Sequence, residues 1–164
     1  GDSGFYGMAG LLLELIQKIN KEYRPSFEVH PGISSMQLAA ALGGAPLMND
    51  FCSISLSDKL TPWESIEKRI AGALLGDFVI TFFNPQSIER KWQLKRAIEL
   101  CLGHRSGNTP VLVARQVGRE NQSKSFFTLD SIPLQDVDML SIIIIGNSKT
   151  SLVDEIFLTP RGYL

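Results

Sequence analysis

Cysteine and histidine are scarce in this sequence, with two of each among 164 residues. Cys52, Cys101, His30 and His104 fall short of any zinc-ligand spacing, so no metal is expected. There is no Gly-x-Gly-x-x-Gly stretch, which removes support for a dinucleotide fold, and no nucleophile elbow. The longest apolar run of one kind, Ile142–Ile145, is four residues, too short to span a membrane and suited to a buried strand. Neither sign of charge dominates: 16 Lys and Arg face 17 Asp and Glu, for a net charge of -1. With the cations scattered, no phosphate-tracking stripe exists and nucleic acid is not an expected partner. The densest cluster, Arg90, Lys91, Lys95 and Arg96, reads as the solvated face of a helix. The two thiols are expected to be reduced and buried in a cytoplasmic protein, although one disulfide stays open.

What is present is an ordinary globular composition, 44% apolar and 20% charged. A single α/β domain over 1–164 is expected. Gly1-Asp2-Ser3-Gly4-Phe5-Tyr6-Gly7 resembles a strand-to-helix elbow, with a carboxylate at the mouth of a cleft. Leu11, Leu12, Leu15, Ile16 and Ile19 then fall at helical spacing. An apolar helix this early needs something to bury it, so the sequence is expected to be a fragment cut at a loop. Phe27–His30 predicts a short strand, Met36–Leu42 a helix ended by Gly43-Gly44, and Cys52–Ser57 a strand. Thr61-Pro62-Trp63-Glu64 predicts a helix start with Thr61 as N-cap and Glu64 closing a capping box. Further strands are predicted over Asp77–Phe83, Pro110–Arg115, Ser125–Thr128 and Leu140–Ile145, with Phe157-Leu158 as a last edge strand. Trp92–Cys101 is the remaining helix. This order implies a mixed sheet of about five strands flanked by helices.

Ligands of open α/β sheets gather beyond the carboxyl ends of strands. The turns that follow predicted strands are Pro31–Ser35, Ser57-Asp58, Asn84-Pro85, Gln116–Gly118 and Gly146–Ser148. Each taken singly suits a plain turn; their recurrence on what should be one edge is the better signal. Gly146-Asn147-Ser148-Lys149-Thr150 lacks the residue order of a phosphate loop. His30 and His104 read as structural. No general base can be named, and composition and spacing stop at a small-molecule-binding α/β domain.

The motifs themselves carry a resemblance. Gly1–Ala9, Pro31-Gly32-Ile33-Ser34-Ser35, Ile54–Asp58, Thr61-Pro62-Trp63-Glu64, Phe83-Asn84-Pro85-Gln86-Ser87, Val137-Asp138-Met139, Gly146-Asn147-Ser148 and Thr159-Pro160-Arg161-Gly162-Tyr163 occur in that order. This series resembles the tetrapyrrole methylases of the cobalamin (corrin) pathway over essentially the whole chain. The resemblance implies the C-terminal domain of a two-domain methyltransferase whose N-terminal domain is absent, with S-adenosylmethionine folded in the cleft between the two. It implies methyl transfer to carbon 17 of precorrin-3B, or its cobalt form, with ring contraction to precorrin-4, in a homodimer without membrane attachment. Carried over residue by residue, cofactor contacts fall on Gly1, Asp2, Phe5, Ser34, Ser35, Asn84, Val117, Pro160 and Gly162. Ser3 stands where proline is usual, and Ser35 where alanine is. Displacement at a sulfonium asks mainly for alignment, which agrees with the lack of an acid–base pair. The fragment alone is expected to be inactive and to bind the cofactor weakly. The alternatives are another methylase of the same pathway, a non-catalytic dimerisation or binding module and, more distantly, a generic nucleotide-binding enzyme.

Overall fold

Val79–Phe83 and Ser141–Ile145 are buried at every position, and in the computed structural model, which describes residues 1–163, they lie side by side inside a five-stranded sheet. In chain order the elements are α1 (Met8–Gln17), α2 (Ser35–Gly43), β1 (Gly44–Ala45), β2 (Phe51–Ser55), α3 (Trp63–Leu75), β3 (Val79–Phe83), α4 (Trp92–Leu102), β4 (Pro110–Arg115), β5 (Ser123–Thr128), β6 (Ser141–Ile145), β7 (Ser151–Val153) and β8 (Ile156–Leu158). The main sheet runs β2-β3-β6-β4-β5. β2 and β3 are parallel, while β6 is antiparallel to both of its neighbours and β5 antiparallel to β4. The expected mixed α/β sheet of five strands is therefore found.

The two-residue period of a strand divides the core. Ile80, Phe82, Ile143 and Ile145 face one side and pack with Ile66, Ile70, Leu94 and Ile98 of α3 and α4. Val79, Phe83, Ile142 and Ile144 face the other and pack with Met36, Ala39 and Ala40 of α2 and with Phe157. α3 and α4 meet through an edge-to-face pair, Trp63 and Trp92, with ring centroids 4.8 Å apart. Glu67 joins them by accepting from Trp63 Nε1 at 2.9 Å and Arg96 Nε at 2.8 Å. Both cysteines are free thiols, and burial pushes Cys101 up to about 12.

Several expectations need correction. Phe27–His30 forms no strand: the segment is exposed and has no ladder partner. The α3 cap is Pro62, whose carbonyl accepts from Ser65 and Ile66, so Thr61 lies one residue outside and no capping box forms. The predicted strand over Cys52–Ser57 ends at Ser55. Phe157-Leu158 is not an edge of the main sheet; β8 is the middle strand of a separate small sheet, β1-β8-β7. Its hairpin turns on Asp154 and Glu155, both left-handed at φ 49° and 61°, as a two-residue type I′ loop requires. α2 does end at the glycine pair, and the φ of 135° at Gly44 admits β8 alongside. α1 forms where the spacing predicts, yet only Ala9 is buried, while Met8, Leu11, Leu12 and Leu15 stand exposed.

Candidate functional site

Strand direction selects the site. β2 and β3 run together, and β4 runs with them because both β3 and β4 oppose β6. The residues following β2, β3 and β4 therefore share one edge, here called the carboxyl edge. Gly146–Ser148, at the end of β6, lies on the opposite, amino edge. There Gly146 N donates to Pro110 O, and Asn147 Nδ2 donates to Asp77 O. One edge for all five turns is thus corrected: the antiparallel β6 removes the last of them.

At the carboxyl edge Ser35, Phe83, Asn84, Gln116, Val117 and Met139 line an open pocket of about 200 Å³. Asn84 and Gln116 begin the turns after β3 and β4 in the left-handed region, at φ 50° and 53°. Non-glycine residues held there are uncommon, and they cluster at ligand sites because the surroundings must over-determine them. Asn84 Nδ2 donates to Ser55 Oγ at 3.0 Å, tying the turn after β3 to the end of β2.

The opening turn docks on the same edge. Asp2 accepts from Gly4 N at 2.8 Å through Oδ1 and from Gly32 N at 3.0 Å through Oδ2. These backbone donors, Gly32 first and then Gly4, hold its carboxyl below the usual aspartate range. A Cβ on Gly32 would lie 2.3 Å from Gly1 O, so the two loops approach as only glycine allows. The clamp delivers Phe5 and Tyr6 onto Phe83, with centroids 5.3 and 5.0 Å apart, and Tyr6 Oη donates to Ser53 O at 3.1 Å. Ser34 caps α2 in a closed capping box: its Oγ accepts from Gln37 N, and its own N donates to Gln37 Oε1. Ser35 is thereby fixed at the pocket wall as the first helical residue. Beside the pocket, Tyr6, Ser55, Ser57, Lys59, Thr61 and Arg69 surround a second hollow of about 500 Å³.

Two further groups frame the pocket. Arg115 holds Asp138 at 2.9 Å through Nε. Burial pushes the Asp138 carboxyl up, but Arg115, Ser141 Oγ and the Leu140 N–H outweigh it and hold it low. Arg90, read from sequence as solvated, is 5% exposed. Its Nη1 donates to Leu56 O at 3.2 Å and Asn84 O at 3.1 Å, and its Nη2 to Met139 Sδ at 3.1 Å.

Of the residues singled out in the sequence, Ser35, Asn84 and Val117 meet at the pocket wall, and Phe5 adjoins it through Phe83. Gly1, Asp2 and Ser34 lie behind it, in the clamp and the helix cap. Pro160 is not in that group: its carbonyl accepts from Asn49 Nδ2 shortly before β2, on the amino side. Gly162, at φ 89° with open space around it, follows Pro160. The sequence marks Gln116 only as the start of a candidate turn and Met139 only as part of a motif, and it reads Arg90 as solvated; none of the three is singled out as a site residue. A left-handed backbone and a buried guanidinium leave no mark in periodicity or charge pattern.

Comparison with known proteins bears on this site. Residues 1–133 match the family described as Tetrapyrrole (Corrin/Porphyrin) Methylases. A Salmonella typhimurium protein named "Probable cobalt-factor III C(17)-methyltransferase" is 49% identical over 99% of this chain and 67% of its own length. The "Cobalt-factor III methyltransferase" of Priestia megaterium is 46% identical over 99% of this chain and 31% of its own length. The "Precorrin-3B C(17)-methyltransferase" of a Sinorhizobium species is 37% identical over 99% of this chain and 66% of its own length. The chain thus spans from under a third to about two thirds of these relatives. Among solved structures, the methyltransferase CobJ superposes with a TM-score of 0.92 at 36% identity, covering 98% of this chain and 67% of that one. Uroporphyrin-III C-methyltransferase from Thermus thermophilus, complexed with S-adenosyl homocysteine, shares the fold at a TM-score of 0.59 and 17% identity.

Proposed function

The chain belongs to the tetrapyrrole methylase family, and from that premise we propose that it is the C-terminal domain of a two-domain, S-adenosylmethionine-dependent enzyme. The reaction is methylation of carbon 17 of precorrin-3B or its cobalt form, with ring contraction. The observation that carries this reading is the pocket at the carboxyl edge, where Asn84 and Gln116 hold left-handed turns beside Ser35 and Val117. Strand-end turns that bring Ser35, Asn84 and Gln116 to one hollow put polar groups beside apolar walls, which suits a ligand that carries both an amino group and a carboxylate. A volume of about 200 Å³ is smaller than the roughly 300–1,000 Å³ of sites that enclose a ligand of this size. The fit is therefore to part of the cofactor, with a second wall outside this chain.

When bound, the cofactor supplies an electrophilic methyl group on a sulfonium. This chain's own residues then bind and align. The Asp2 clamp keeps Phe5 against Phe83, the Ser34 cap fixes Ser35, and Asn84 presents the turn after β3. No proton transfer is assigned to any of them. Methyl transfer by displacement depends on holding donor and acceptor in line, a role that rigid strand ends perform well.

The decisive experiment uses the complete protein with labelled S-adenosylmethionine and precorrin-3B or cobalt-factor III as substrate, followed by mass analysis. A product heavier by one methyl group, with the label at carbon 17, is expected; transfer to another ring carbon would replace this reading with a different methylase of the pathway. The isolated chain is expected to be inactive and to bind S-adenosylhomocysteine more weakly than micromolar, as titration calorimetry would read. The exposed apolar face of α1 (Met8, Leu11, Leu12, Leu15) favours a homodimer, for which light scattering is the measurement. Among the described residues no helix is long and apolar enough to cross a membrane, and the cytoplasm is the proposed compartment.

A further inference from the structure

We infer that Arg90 is a positioning residue for the proposed cofactor pocket, acting through Asn84 and Met139; the inference rests on the cofactor reading above. Arginine is almost never this buried without a carboxylate, because desolvating its charge is costly. Yet Arg90 makes no ion pair among the described residues. Its compensation comes instead from two carbonyls and a thioether, drawn from three different loops. Leu56 O belongs to the loop after β2, Asn84 O to the turn after β3, and Met139 Sδ to the loop before β6. Two of these three residues, Asn84 and Met139, line the pocket.

The loop between β3 and α4 is folded so that the guanidinium can return beneath its own start. Ser87 and Arg90 exchange backbone hydrogen bonds at 3.0 and 3.2 Å, and Ser87 Oγ accepts from Arg90 N at 3.2 Å. That tight turn brings residue 90 back toward residue 84. The Asn84 carbonyl then has a charged donor, which offsets part of the cost of its left-handed backbone. Asn84 is further fixed by its side chain on Ser55. A planar head with several donors can bridge three acceptors in different directions, which a lysine ammonium on a flexible stem cannot reproduce.

The test uses the complete protein and S-adenosylhomocysteine as probe, with Arg90→Met, Arg90→Lys and Met139→Leu compared with the exposed control Lys95→Met. Arg90→Met is expected to weaken binding roughly 10- to 100-fold, the scale of a small misplacement of a positioned group. Arg90→Lys should recover little of this, Met139→Leu should show a loss of the same sign but smaller, and Lys95→Met none. In turnover, the KM for S-adenosylmethionine should rise far more than kcat falls, a split that a general loss of stability would not give. Should Arg90→Met fail to fold, Arg90→Lys and Met139→Leu carry the test. Both of these folded and binding with unchanged affinity would overturn the Arg90 assignment alone. Failure of the unmutated protein to bind S-adenosylhomocysteine would overturn the cofactor reading and this assignment with it.

Discussion

Two arginines with little-exposed side chains sit at opposite edges of the main sheet and tie their loops in different ways. At the amino edge Arg105 donates to Gly146 O and Phe78 O, with Asp77 4.0 Å away as a counter-charge. Asn147 and Thr150 complete that edge by bonding to each other and to Asp77 and Thr159. At the carboxyl edge Arg90 has no carboxylate and holds loops whose residues face an open pocket. Arg105 also lines an open hollow of about 400 Å³ with Asp77, Asn147 and Ser148, so both edges are open. They differ in how the guanidinium is compensated: a nearby carboxylate at the amino edge, carbonyls and a thioether at the carboxyl edge. Polar turns and left-handed residues therefore do not by themselves mark a ligand site, since Asp77 at the amino edge is left-handed too at φ 52°. What sets the carboxyl edge apart is that the turns after β3 and β4 meet there with the start of α2.

The comparison can be broken by substitution at each edge. The largest loss of stability is expected for Arg105→Met, which removes the donors to two part-buried carbonyls, a loss of about 1–3 kcal/mol in all. A clear fall in melting temperature should accompany unchanged affinity for S-adenosylhomocysteine, and a loss of affinity would dissolve the distinction between the edges. Asn84→Ala should invert that pattern. It adds strain at φ 50° and removes the bond to Ser55, so affinity should drop roughly tenfold or more for a modest change in stability.

A smaller effect is expected for Asp2→Asn, and it depends on pH. Because the carboxyl is held low in the folded state, its contribution is complete above the unfolded aspartate value of about 3.9 and fades as pH falls through the lower folded value. Asp2→Asn should therefore melt earlier than the unmutated protein at neutral pH and converge with it in stronger acid. A constant gap across that range would show that the clamp does not depend on the charge. Away from both edges, Arg96→Ala removes partly exposed ion pairs to Glu67 and Glu99, one of them part of the α3–α4 link, and should lower melting temperature only slightly while leaving affinity unchanged.

Much of the fold was legible because it follows from period and punctuation. Ile142–Ile145 and Val79–Phe83 could hardly be anything but inner strands, and the glycine pair ended α2 where expected. The misreadings have physical causes. Phe27–His30 has strand-forming residues but no partner strand, and a ladder needs two sides. Thr61 has the chemistry of a cap, yet the backbone of Pro62 took the position. At the site, the turns at Pro31–Ser35 and Asn84 were visible as small polar residues after apolar runs. The assignment of Gly146–Ser148 to the same edge failed because strand direction is a property of topology, not of local sequence. Arg90 was invisible for a related reason: nothing in its neighbourhood separates it from exposed Lys91, and only the fold-back through Ser87 buries it.

The place of β6 has a consequence for how the chain is made. It is the central strand of the five, yet it is the last of them in sequence, entering between β3 and β4. During synthesis, the β2–β3 pair and the β4–β5 hairpin can form while the slot between them stays empty. Until residues 141–145 leave the ribosome, β3 and β4 each present a bare, apolar edge of the kind that pairs with other chains. Premature termination anywhere before Ser141 would thus yield a product prone to aggregate rather than a shortened, folded domain. The main sheet is whole only once β6 has entered between β3 and β4.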